Sequence, residues 1–164
     1  MNELLEAYDS GGAAMATVVQ TWRSAPRPAG ASMLVTASGE AVGSVSGGCV
    51  EGALFEVGTE VLTDGHPRFE HYGVSDDDAF AVGLTCGGIL EVFVEQVNHD
   101  TWPELPDVAA RIERGDPVGV ATIIKGPHFV GRHLVITPES ATGSLGTDRL
   151  DDTVREDARG MLAA

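Results

Sequence analysis

GASMLVTASGEAVGSVSG, residues 30–47, returns in outline as GRHLVITPESATGSLG, residues 131–146. Gly131 falls over Gly30, Leu134-Val135 over Leu34-Val35, and Gly143-Ser144-Leu145 over Gly43-Ser44-Val45. Ahead of each copy runs an apolar, β-branched segment of strand length, AMATVVQTW at 14–22 and VGVATIIKG at 118–126. After each copy the spacing turns helical, with Val50, Glu51 and Leu54 answering to Leu150, Asp151 and Val154. Strand-like runs meeting at Ser38-Gly39 predict a hairpin. Val50, Leu54, Val57, Val61 and Leu62 on one face predict a helix over 47–65, and the second copy predicts one over 148–162. We therefore read two similar β-β-β-α units forming one α/β domain over residues 1–164, a mixed sheet flanked by helices. Either unit alone would leave an apolar sheet face uncovered. Chance similarity between two ordinary hairpins is the competing explanation.

The remaining segments fit around this repeat. Residues 2–10 read as a short acidic helix, 66–74 as a short strand and 87–97 as a strong β-branched strand, while 103–113 read as a helix stopped at Gly115-Asp116-Pro117. With 43% apolar and 21% charged residues the 164-residue chain has the composition of a folded protein with one core. Aromatics are 5% and glycines number 21, so the core is aliphatic and the backbone rich in tight turns. A net charge of -15 repels phosphate backbones and anionic lipid, which argues against nucleic acid and membrane partners. No apolar run approaches the length of a membrane span, and the acidic start MNELLEAYDS lacks the features of a signal peptide, so a cytoplasmic protein is expected. Cys49 and Cys86 are too few for a disulfide scaffold and suit a reducing compartment.

Whatever the fold alone requires should stand in both copies, so the differences between them point to function. Three features belong to the first copy and its sequel: the RSAPRPAG loop at 23–30, the Ser46-Gly47-Gly48-Cys49 run at the helix start, and Thr85-Cys86-Gly87-Gly88 before a strand. A glycine-rich helix start offers unpaired N–H groups and a positive dipole end to an anion, and would favour a thiolate on Cys49. Equally, Ser46 can be a simple N-cap and Cys49 a small buried hydrophobe. Cys86 can be a soft ligand or a buried core thiol. Arg23 and Arg27, in a proline-stiffened loop, suit a phosphate or pair with surface acids. Glu51 can cap the N-terminus of its own helix or act on a bound ligand. The acids at 76–78 and the scattered histidines lack metal-ligand spacing.

GSVSGGCVE, with SAPRPAGASMLV upstream and GLTCGGILEVFVE downstream, resembles the amino-terminal domain of the XdhC/CoxI family across nearly the whole chain. The resemblance implies an accessory protein without substrate turnover. It would bind molybdenum cofactor, as molybdopterin or a nucleotide derivative, assist its sulfuration by a cysteine desulfurase, and deliver it to a xanthine dehydrogenase or carbon monoxide dehydrogenase type apoenzyme. Carried onto this sequence, it marks Ser46, Gly47, Gly48, Cys49 and Glu51 in the first block, Pro26, Arg27 and Gly30 in the loop, and Cys86, Gly87 and Gly88 in the last as the cofactor site. Cys49 or Cys86 would be the thiol that approaches molybdenum. Many members continue into a Rossmann-like domain; this sequence stops first, so a partner protein carrying that domain is one expectation. A homo-oligomer is another, since small α/β sheets expose edges. Two other functions compete: a sulfurtransferase carrying persulfide on Cys49 or Cys86, and a purely structural interaction module.

Overall fold

The computed structural model describes residues 1–23, 25, 27–73 and 88–163. The chain divides into two compact units, residues 2–98 and 99–164, the latter with Met1. The amino-terminal unit holds α1 (Asn2–Asp9), β1 (Ala13–Trp22), β2 (Ser32–Thr36), β3 (Ala41–Gly43), α2 (Glu51–Asp64), β4 (Arg68–Tyr72) and β5 (Ile89–Val97). Its five strands form one sheet in the order β3-β2-β1-β5-β4, and each pairing is antiparallel. Alternation on β1 buries Ala14, Ala16 and Val18 on the face that α2 covers, where Val35, Leu54, Val61, Val92 and Val94 complete an aliphatic core. Gly58 lets α2 lie close to that sheet: a Cβ there would stand 2.8 Å from Val35 Cγ2.

The carboxy-terminal unit holds α3 (Leu105–Arg114), β6 (Gly119–Thr122), β7 (His133–Ile136), β8 (Ala141–Gly143) and α4 (Asp148–Leu162). Its strands make a separate three-stranded sheet, β6-β7-β8, also antiparallel. Leu134, Ile136 and Leu145 form its small core, against which Val154, Ala158 and Leu162 of α4 pack.

The α/β class and both β-β-β-α units are present, as β1-β2-β3-α2 and β6-β7-β8-α4. The sheet is not one mixed sheet but two antiparallel ones, because the chain reverses from strand to strand within each β-β-β copy, β5 runs antiparallel to both β1 and β4, and every strand pairs only within its own unit. The copies superimpose in hydrogen bonding as well. Gly30 N–H donates to Val18 O at 2.8 Å and Gly131 N–H to Ile123 O at 2.8 Å. Gly43 and Gly143 both have positive φ, +91° and +83°, and a Cβ on either would lie within 2.6 Å of the carbonyl oxygen of Ser32 or His133. The strand register corrects one detail of the sequence comparison. Gly43 faces Met33 and Gly143 faces Leu134, so Leu134 corresponds to Met33 rather than Leu34. The first hairpin carries one more turn residue, which absorbs the slip: Thr36 N–H bonds to Glu40 O, Thr137 N–H to Ser140 O.

Candidate functional site

Antiparallel pairing brings the described parts of the segments singled out in the sequence to one end of the five-stranded sheet. The 23–31 loop leaves β1 at Trp22 and enters β2 at Ser32. The 44–50 loop leaves β3 at Gly43, which pairs with Met33 beside that entry. Gly88 precedes Ile89, the residue that faces Trp22. Ala25, Ala31 and Cys49 all pack against the same core cluster. Cys86 and Gly87, like Pro26 and the acids at 76–78, lie outside the described residues.

Between β3 and α2 the chain winds around the carboxylate of Glu51. Its Oε1 accepts from the Ser44 hydroxyl at 2.7 Å, from Val45 N–H at 3.1 Å and from Ser46 N–H at 2.9 Å. Its Oε2 accepts from the Ser46 hydroxyl at 2.5 Å and from Gly48 N–H at 2.9 Å. The serines complete the network: Gly47 N–H donates to Ser44 Oγ, and Cys49 and Val50 N–H both donate to Ser46 Oγ, each at 3.0 Å. Partial burial of Glu51 works against its charge, but the donors from Ser46 and Ser44 outweigh it and pull the carboxyl down to about 2.

This geometry changes the expected helix start. The apolar spacing predicts a helix from residue 47; α2 begins at Glu51, because Gly47 and Gly48 sit at φ +72° and +112°, outside the helical region. Cys49 is therefore half-buried in a loop two residues before the helix, not in its first turn. Ser46 caps that loop, and Val50 at the helix N-cap position makes no side-chain cap bond. Nor are the loop amides open to an anion: every N–H from Val45 to Val50 already has Glu51, Ser44 or Ser46 as its acceptor. What remains accessible is the outer face, where a Cβ at Gly47 or Gly48 would meet nothing within 4 Å. Arg27 is exposed.

The second copy repeats the cradle in reduced form. Asp151 accepts from the Ser144 hydroxyl and from Leu145 N–H, both at 2.7 Å. There Thr147 caps the helix through Leu150 N–H and α4 starts at Asp148, three positions earlier than its counterpart. Ser44 is a site residue that sequence comparison assigns to the scaffold. The signal is present in the recurrence of serine and acid seven residues apart, Ser44 with Glu51 and Ser144 with Asp151.

Among the described residues no group of three histidine, cysteine or acidic side chains could hold a metal ion, and no helix is long and apolar enough to cross a membrane. The family model for XdhC and CoxI proteins matches residues 8–73 and 111–164. A Bacillus subtilis protein, a probable component of xanthine dehydrogenase, is 32% identical over 134 residues, 79% of this chain and 39% of that protein. The molybdenum cofactor insertion chaperone PaoD of Escherichia coli is 37% identical over 117 residues, 71% of this chain and 36% of its own length. A crystal structure described as a xanthine dehydrogenase from Bacillus halodurans aligns with a TM-score of 0.76 at 27% identity, over 94% of this chain and 47% of that one. The chain thus spans less than half the length of each. Taken with the matched cradle and loops, these likenesses show that the chain belongs to the XdhC and CoxI family.

Proposed function

We propose that the chain binds molybdenum cofactor and helps insert it into a xanthine dehydrogenase or carbon monoxide dehydrogenase type molybdoenzyme. The observation that carries this reading is the gathering of the 23–31 loop, the Gly47-Gly48-Cys49 loop and Gly88 at one sheet end, in a chain related to an insertion chaperone. The bound cofactor would bring a phosphate, a pterin and a thiophilic metal. Cys49, half-buried beside two glycines with open outer faces, suits the metal side, with Cys86 as a second thiol by its sequence context. Because the loop amides are committed to Glu51, Ser44 and Ser46, the phosphate falls to Arg27, whose guanidinium can pair it bidentately. Ser46, Gly47, Gly48, Glu51 and Gly88 shape the backbone around these groups, and Gly87 belongs with them by its sequence context alone. The apo-molybdoenzyme and a cysteine desulfurase are the partners this role calls for, in the cytoplasm, with the chain self-associating.

Anaerobic loading with molybdenum cofactor followed by gel filtration tests the proposal. Near-stoichiometric molybdenum and pterin fluorescence should travel with the wild-type chain, and Cys49→Ala and Arg27→Ala should lower retention about tenfold or more, the loss of one good contact being ~1.4 kcal/mol. Wild-type protein that emerges free of molybdenum would overturn it.

A further inference from the structure

The acids that anchor the two copies differ by one methylene, Glu51 against Asp151, and this difference falls where function is expected. Asp151 reaches the first two donors of its cradle, Ser144 and Leu145, and the chain at Asp148 is helical. Glu51 makes the equivalent bonds to Ser44 and Val45 and extends further, to Gly48 N–H. Gly48 corresponds to Asp148, so the additional bond holds out of the helix the residue that begins the helix in the other copy. Gly47 meanwhile stands where Thr147 caps α4, so the first copy lacks the side chain that would start a helix here. The hydroxyl of Ser46, itself 2% exposed, bonds Glu51 on one side and the N–H groups of Cys49 and Val50 on the other. No serine stands at the matching position of the second copy, which is Gly146.

We propose that Glu51 and Ser46 are positioning residues whose bonds to Gly48, Cys49 and Val50 hold the Cys49 loop open, preventing residues 48–50 from winding onto α2 as their counterparts wind onto α4. Neither residue need touch the cofactor. The inference rests on the proposed cofactor role only for the purpose of the open loop; the positioning itself is a property of the chain alone.

Glu51→Asp tests it, because Asp151 shows that an aspartate supports this turn. In the cofactor-free chain, NMR should show the Gly48 amide exchanging at least about tenfold faster than in the wild type, ~1.4 kcal/mol of lost protection, and the Cα shifts of residues 48–50 moving toward helical values. The pH profile of Cys49 alkylation by iodoacetamide should shift with them. Asp151→Glu in the second copy should leave all three unchanged. Gly48→Ala offers an independent route: its Cβ meets open space, so the substitution penalises only the positive φ and should move the same signals. Wild-type residue-48 amide exchange, 48–50 Cα shifts and Cys49 profiles in both Glu51→Asp and Gly48→Ala overturn the proposal, whatever happens to cofactor retention. Loop signals that move while retention stays at the wild-type level uphold the positioning and refute the cofactor-facing role instead.

Discussion

Removing the Glu51 carboxylate should destabilise the amino-terminal unit by several kcal/mol at neutral pH, and by progressively less in acid. Glu51→Ala leaves five donors without their acceptor: the hydroxyls of Ser44 and Ser46 and the N–H groups of Val45, Ser46 and Gly48. Gly48 is exposed and the hydroxyls can rotate, so water can replace much of what they lose. Val45 and Ser46 are 0% and 2% exposed, and an unpaired buried N–H costs about 1–3 kcal/mol. Two of them make a loss of about 2–6 kcal/mol. The pH dependence gives a second route to the magnitude. The folded carboxyl lies at about 2 against an ordinary 4.5: burial opposes its charge, and the serine hydroxyls and loop N–H groups more than compensate. A carboxyl depressed on folding stabilises above its unfolded value and loses that contribution as pH falls through the folded one. At ~1.4 kcal/mol per unit this is at most about 3.5 kcal/mol, present above about pH 4.5 and gone below about pH 2. Solvent screening of the half-buried carboxylate lowers that ceiling. Thermal unfolding followed by circular dichroism at pH 7 should show a drop of at least about 8 °C for Glu51→Ala, at about 4–8 °C per kcal/mol for a unit of this size. Glu51→Gln should fall between, since it keeps one oxygen for the Ser44, Val45 and Ser46 donors. Plotted against pH, the gap between wild type and Glu51→Gln should close from about pH 5 to about pH 2. Parallel curves, or a Glu51→Ala transition within about 2 °C of wild type, would mean that the buried N–H groups of this loop do not depend on the Glu51 carboxylate.

Three further outcomes follow from packing and backbone geometry. Gly58→Val should cost about 1–3 kcal/mol by overpacking, since even its Cβ would meet Val35 at 2.8 Å, and urea unfolding should show the lower midpoint with an unchanged slope. Gly43→Ala combines a positive φ with a Cβ 2.5 Å from Ser32 O and should cost more than the ~1 kcal/mol of an ordinary glycine replacement; limited proteolysis within the β2–β3 hairpin would report it. Thr147→Ala removes the cap that accepts from Leu150 N–H and should lower the stability of the carboxy-terminal unit by about 1 kcal/mol, seen as faster amide exchange in the first turn of α4.

Much of this protein is legible from local chemistry. The apolar, β-branched runs AMATVVQTW and GGILEVFVEQV mark β1 and β5, and the repeat of Gly30, Gly43 and Ser44 as Gly131, Gly143 and Ser144 marks two copies of one unit, because the same bend needs the same permissive residue each time it is made. Helix α4 runs over the residues that its spacing predicts, 148–162, with Thr147 as a conventional cap. The start of α2 is not legible, because propensity and capping see only neighbours along the chain, whereas Glu51 accepts from a hydroxyl seven residues back. Burial of Gly58 is hidden for the same reason: its value lies in Val35 on another element. Neither the pairing of β5 with β1 nor the division into two sheets follows from local pattern, since any edge could have accepted any strand of fitting length. The β5–β1 pairing, settled by long-range burial, sets Ile89 opposite Trp22 and so brings Gly88 to the sheet end where the loops after β1 and β3 lie.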